Sequence, residues 1–252
     1  MLKLLKSVFI WCLLLSIYSP AFANEISPQI GSYEFTGTTL SLLGEQASNS
    51  FEKIIPKDED ISWQVYVPET YSADAPAGVI VYISPSNSGE TPKDWMATLK
   101  EQNLIWISAN QSGNKINSRK RISYTIFSVA MLANTYEINQ DRIYLAGFSG
   151  GGRIASIVAA EYPHIFKGAI YMSGVNFWNK KASRNIEQIR RNAYVFITGR
   201  KDFNFEDTKN VHRRYKKSKV RNLLLNDIPN LKHELPNHEA LNQAIKFLDA
   251  RS

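Results

Sequence analysis

Gly147-Phe148-Ser149-Gly150-Gly151 is the stretch of this chain best suited to chemistry. A serine spaced from glycines by one residue on each side can stand on a very tight bend, because neither flank carries bulk. The apolar run Ile143-Tyr144-Leu145-Ala146 leads straight into it. The small-residue run Ile154-Ala155-Ser156-Ile157-Val158-Ala159-Ala160 leads out with helical character. A strand ending in a bend that opens a helix lifts the serine hydroxyl clear of the sheet. It also aims the N–H of Gly150 at the position where negative charge develops when a carbonyl is attacked, at the positive end of the helix. Such a serine is a weak nucleophile until an imidazole takes its proton, and the imidazole needs a carboxylate to orient it. Four histidines are available: His164, His212, His233 and His238.

These groups need a scaffold, and the hydrophobic pattern supplies one. After a polar start, Ile61-Ser62-Trp63-Gln64-Val65-Tyr66-Val67 alternates as a half-buried strand does, and Pro68 ends it. Continuous apolar runs over 78–83 and 104–108 read as strands covered on both faces. Thr91-Pro92-Lys93-Asp94 reads as a helix start, with a capping residue and proline at the first helical position. Further on, the pattern predicts helix 121–137, strand 142–148, helix 151–161, strand 169–173 and a short polar helical insertion around 181–191. Strand 194–198, helix 206–217, strand 220–226 and helix 239–250 complete the chain. This alternation implies one mainly parallel sheet with helices on both faces, and ligands bind beyond the carboxyl ends of such strands.

Asp141-Arg142-Ile143-Tyr144-Leu145-Ala146-Gly147-Phe148-Ser149-Gly150-Gly151 resembles the nucleophile segment of α/β-hydrolases, especially the secreted esterases related to polyhydroxybutyrate depolymerases and feruloyl esterases. Trp63-Gln64-Val65-Tyr66-Val67-Pro68 is similar to their opening strand. The likeness spans roughly residues 60 to 250. The family usually carries His-Gly after its third strand, where this chain has Ser84-Pro85. The resemblance implies the α/β-hydrolase fold and a chain order of serine, acid, histidine.

That order places the base well beyond Ser149. His164 follows Tyr162-Pro163 at a helix end and reads as structural; His212 lies in a basic helix and is expected to face solvent. His238 opens the last helix behind Pro236 and Asn237. His233 stands in a loop directly after the Leu223-Leu224-Leu225 strand, and Lys232-His233-Glu234-Leu235-Pro236 resembles the family's catalytic histidine loop. For the acid, Gly199-Arg200-Lys201-Asp202 leaves the strand Val195-Phe196-Ile197-Thr198 and resembles the family's acid turn. Asp202 is therefore the expected acid, with Asp227 as its rival and Asp207 as a helix first-turn residue. The second oxyanion donor is expected in the loop after the strand over 79–83. Pro85 has no N–H, so Ser86 is the first candidate and Asn87 the next.

The expected chemistry is acyl transfer from a carboxylic ester through Ser149, with His233 as base, Asp202 as orienting acid, and Gly150 and Ser86 as oxyanion donors. The resemblance implies a small-molecule or polysaccharide-linked ester. Trp95, Trp106, Phe177 and Trp178 are candidates to line the site, and the insertion from 177 to 191 is the expected small cap, too short for a full lid. No metal or organic cofactor is called for by any ligand cluster. A serine peptidase with the same triad, and a non-catalytic surface-binding protein on the same fold, are the alternatives.

The remaining features bear on compartment and partners. Lys3 and Lys6, an apolar stretch over 8–17 and Ala21-Phe22-Ala23 read as an export signal cleaved after Ala23. Residues 24–252 are then a single domain, placed in the periplasm or secreted, with no membrane span after cleavage. Cleavage also removes Cys12, the single cysteine, so burial rather than disulfides must hold the domain. The formal charge is +7 for the whole chain and +5 without Lys3 and Lys6. Much of it lies in His212-Arg213-Arg214-Tyr215-Lys216-Lys217-Ser218-Lys219, read here as a solvated helix face. No zinc-ligand spacing, RNA-binding aromatic signature or helix-turn-helix pattern accompanies it, so no nucleic-acid partner is expected.

Overall fold

The apolar runs become the middle of an eight-stranded sheet. A computed structural model describes residues 28–251 of the chain; the predicted export signal and Cys12 lie outside the described residues. In chain order the elements are β1 (Gly31–Gly37), α1 (Thr39–Ser48), β2 (Ile61–Val67), β3 (Ala77–Ile83), α2 (Met96–Glu101) and β4 (Leu104–Ala109). Then come α3 (Ser118–Ala133), β5 (Ile138–Phe148), α4 (Gly150–Glu161), β6 (Gly168–Met172), α5 (Ile186–Arg191), β7 (Ala193–Gly199), α6 (Phe205–Lys217), β8 (Asn222–Ile228) and α7 (His238–Asp249).

The strands lie in the order β1-β2-β4-β3-β5-β6-β7-β8. β1 pairs antiparallel with β2, and β2 with β4; every later pairing is parallel. The registers Ile83↔Gly147, Phe148↔Met172, Met172↔Ile197 and Gly199↔Ile228 bring the carboxyl ends of β3, β5, β6, β7 and β8 to one edge. That edge holds the loops in which chemistry was expected.

Alternation along the central strands divides the core in two. Val79, Val81, Leu145, Tyr171 and Phe196 face one side, against Phe127 of α3, Val158 of α4 and Tyr215 of α6. Ile80, Tyr82, Tyr144, Ile170 and Val195 face the other, against Leu99 of α2 and Leu241, Ile245 and Leu248 of α7. α7 buries Ala240, Leu241, Ala244, Ile245 and Leu248, a helical stripe, and Asn237 caps it by accepting the N–H of Ala240. Each fully buried leucine or isoleucine there contributes about 1.5–3 kcal/mol over leaving it exposed.

Several expectations are corrected. The polar start contains β1 and α1; Thr38 and Ser41 form a reciprocal capping box for α1. Thr91-Pro92 opens only a short 3-10 turn, Lys93–Trp95, without a side-chain cap, before α2. Helix α3 starts at Ser118 behind its Asn117 cap and stops at Ala133, earlier at both ends than its apolar pattern suggests. Trp95 and Trp106 are core residues, 1% and 0% exposed, their rings packed with Tyr82 and their indole N–H groups satisfied inside by the Pro236 and Gly89 carbonyls. The insertion is no cap. Asn185 donates to the carbonyls of Ala160 and Glu161, so 182–191 lie at the far end of α4 from Ser149. Phe177 and Trp178 stack on each other, and both pack against Tyr215 of α6. His212 is half-buried with its ring against Phe196 rather than turned to solvent.

Candidate active site

Ser149 stands between β5 and α4 with φ 53° and ψ −119°, a conformation that an L-residue holds only when its surroundings enforce it. The enforcement is visible. The Ser149 N–H donates to the Met172 carbonyl at 2.8 Å, tying the bend to the end of β6. Gly151 sits against the Ile83 carbonyl, where a Cβ would collide. Gly147 faces the Gly151 backbone, and a Cβ there would lie 2.6 Å from its carbonyl carbon.

His233 arrives from the loop after β8. Its Nε2 lies 2.9 Å from Ser149 Oγ, and its Nδ1 lies 2.9 Å from Asp202 Oδ2. With Nδ1–H donating to the carboxylate, Nε2 is the acceptor facing the serine hydroxyl. Two phenyl rings pack on the imidazole, Phe148 at 4.9 Å and Phe203 at 4.1 Å between centroids. Phe203 is 78% exposed, an unusual position for a large apolar side chain.

Asp202 has a fully buried side chain. Its second oxygen accepts the Asn204 N–H at 2.6 Å. Asn204 in turn donates to the Ser173 carbonyl at 2.9 Å and accepts from Arg153 Nη2 at 3.1 Å. The acid loop and the histidine loop are also joined through main chain: Arg200 N–H donates to Ile228 and Lys201 N–H to Leu231. Asp227, the rival acid, instead pairs with Arg200 at 2.9 Å on the surface. Asp207 is exposed in the first turn of α6. His164 and His238 are exposed, and the His238 N–H donates to Asp94.

Gly150 opens α4 beside the serine. The N–H of Ser86, the expected second donor, points back into its own turn and donates to Ser84 Oγ at 3.1 Å. A surface cleft of about 510 Å³ adjoins the histidine loop, lined by Trp95, Ile228, Leu231, Leu235 and Pro236 among others; Ser149 is not part of its wall. Among the described residues no cluster of three or more histidine, cysteine, aspartate or glutamate side chains could hold a metal ion.

Phe203, Asn204, Arg153 and Phe148 escape the sequence reading. Asn204 and Phe203 had one available signal, their position next to Asp202; Arg153 meets Asn204 only through the fold.

Strand order, parallel crossovers and a strained bend at the tip of β5 make this chain an α/β-hydrolase. The phospholipase/carboxylesterase family model matches residues 80–252, and the chain belongs to that family. Comparison with curated protein sequences gives no match. Among solved structures, the S-formylglutathione hydrolase FrmB of Staphylococcus aureus superposes with a TM-score of 0.62 at 14% identity, over 88% of this chain and 99% of that one. FphF, a fluorophosphonate-binding serine hydrolase of the same organism, gives 0.64 at 14% identity, over 86% and 98%. A ferulic acid esterase gives 0.60 at 13% identity, over 88% and 99%. At such identities the likeness is one of fold.

Proposed function

We propose that the protein hydrolyses carboxylic esters through an acyl-enzyme on Ser149. The observation that carries this reading is the unbroken chain Ser149 Oγ, His233 and Asp202, with 2.9 Å at each link. Oγ bonds to the ester carbonyl carbon as its proton passes to His233 Nε2, and Asp202 stabilises the imidazolium through Nδ1–H. The carbonyl electron pair moves onto oxygen, where Gly150 N–H receives it. Ser86 N–H joins when it exchanges its bond to Ser84 Oγ for the oxyanion. One such donor contributes about 3 kcal/mol in the transition state. Collapse expels the alcohol, which takes the Nε2 proton. Water then gives a proton to His233, attacks the acyl carbon and releases the acid, restoring Ser149.

The substrate reading is a small-molecule or polysaccharide-linked ester. Its support is the exposed Phe203 beside His233 and the ferulic acid esterase among the fold neighbours. Residues 1–23 are proposed to be an export signal, leaving residues 24–252 as a single domain in the periplasm or outside the cell; the N-terminal sequence of the secreted protein tests this.

The test of function is hydrolysis of a panel of acyl nitrophenyl esters and matching anilides by the wild type and Ser149→Ala. Ester turnover lost in the variant supports the reading, and equal rates in both proteins overturn it. Preference for the anilides would make the protein a peptidase. A fluorophosphonate probe that labels only the wild type identifies Ser149 as the nucleophile.

A further inference from the structure

Behind the nucleophile lies a buried cation that the triad does not use. Arg121 of α3 is 4% exposed, and none of its hydrogen bonds goes to a carboxylate. Its Nη2 donates to the Ser84 carbonyl at 2.8 Å, its Nη1 reaches Asn114 Oδ1 at 3.5 Å, and its Nε has no partner. Burial draws its pKa down to about 10. A guanidinium kept in the interior without a counter-charge is costly, so a compensating use is expected.

Both of its contacts lead to the rim of the serine bend. Asn114 donates its main-chain N–H to Pro85 at 2.9 Å, which braces it against the loop after β3. Its carboxamide fills the space that a side chain at position 150 would take: a Cβ on Gly150 would collide with Oδ1 and stand 2.9 Å from Nδ2. Gly150 thus admits a foreign amide directly against the residue that carries the first expected oxyanion donor, while the Ser86 N–H is engaged elsewhere.

We propose that Asn114 Nδ2 donates a hydrogen bond to the tetrahedral oxyanion beside Gly150 N–H, and that Arg121 is the positioning residue that turns the amide oxygen inward and its N–H outward. The inference rests on Ser149 as nucleophile. As Oγ bonds to the acyl carbon and its proton moves to His233, the carbonyl pair shifts to oxygen, where Gly150 N–H and Asn114 Nδ2–H meet it and Ser86 N–H adds only on leaving Ser84 Oγ. The guanidinium, drawing on Oδ1, polarises the amide so that Nδ2–H is a stronger donor. When the intermediate collapses the pair returns to the carbonyl and both bonds weaken.

Four variants test this: Ser149→Ala, Asn114→Ala, Asn114→Asp and Arg121→Lys. Asn114 is exposed, so its variants are expected to fold. Asn114→Ala is expected to lower kcat about 100-fold with KM changed less than about 3-fold, and to weaken an alkylboronic acid inhibitor by a similar factor. Asn114→Asp places a carboxylate beside Arg121, so its Tm is expected at or above the wild-type value while kcat falls further. A purely structural role moves these two readouts together; the proposal separates them. Arg121→Lys is expected to lower kcat about 10-fold in the wild type and to have no further effect in Asn114→Ala, the signature of action through Asn114. If Ser149→Ala is inactive but Asn114→Ala keeps kcat within about 3-fold, the oxyanion role of Asn114 is wrong and the nucleophile stands. If Ser149→Ala remains active, the nucleophile reading falls and this one with it.

Discussion

Asp202→Asn changes one charge and one hydrogen-bond polarity while keeping the shape of a fully buried side chain. The two carboxylate oxygens have different partners: one accepts the main-chain N–H of Asn204 at 2.6 Å, the other Nδ1–H of His233 at 2.9 Å. An asparagine has a single oxygen, and only oxygen can satisfy a main-chain N–H, so its amide NH2 is forced to face His233. Nδ1 must then accept, the ring proton moves to Nε2, and the imidazole offers Ser149 a proton where it had offered a lone pair. Loss of the base together with loss of imidazolium stabilisation corresponds to a fall of about 10⁴ in kcat, or roughly 5 kcal/mol of transition-state stabilisation. The assay is steady-state hydrolysis of a nitrophenyl ester, with urea unfolding in parallel to show that the variant is folded. Asp227→Asn is the control: its partner Arg200 is 58% exposed, and a surface pair of that kind contributes less than about 1 kcal/mol. Activity in Asp202→Asn within tenfold of wild type, or a larger loss in Asp227→Asn, would refute the reasoning.

The positive φ at Ser149 predicts that Ser149→Gly melts above Ser149→Ala, reversing the usual order, by a few °C for about 1 kcal/mol of relieved strain; calorimetry checks the order, and both variants are expected to lose ester hydrolysis. Burial, followed by the charges of Lys216 and Arg213, lowers the pKa of His212 below its ordinary value of 6.5. The unfolded chain therefore binds a proton first as pH falls below that value, and stability declines there; urea unfolding at pH 7.5 and 5.5 should show a smaller decline in His212→Gln than in the wild type. Asp249 accepts from Arg142 Nε and Nη2 and from Tyr144 O–H within 2.9 Å, at the edge of the sheet opposite Ser149. Asp249→Asn is expected to cost about 2 kcal/mol in urea unfolding and to leave kcat of the folded protein unchanged.

The parts legible in sequence are those whose signal is local. The β5 bend announces itself through an apolar run, spaced glycines and a small-residue helix within twenty residues. Asp202 and His233 could be singled out because each follows a strand end, and parallel strands bring such ends to one edge. β1 gives a fainter signal, the alternation Ser32-Tyr33-Glu34-Phe35-Thr36, at an edge where only one face is covered. Trp95 and Trp106 show why residue type alone misleads: an indole suits a binding wall and an interior equally, and only packing decides. The partnership of Arg121 with Asn114 and Ser84 joins segments separated in sequence by a strand, so neither composition nor period reports it.

The main-chain bonds linking Arg200 and Lys201 to Ile228 and Leu231 make one unit of the acid and histidine loops, so the site has two halves. One half carries the carboxylate and the imidazole as a prefabricated pair; the other carries the serine on its bend. Two bonds between side chains, Oγ to Nε2 and Arg153 Nη2 to Asn204 Oδ1, join them across the sheet edge. Warming or mild denaturant that parts the two halves by a fraction of an ångström opens that seam before either piece unfolds. Turnover should therefore fade while the helical circular dichroism and the buried tryptophan fluorescence still report an intact body.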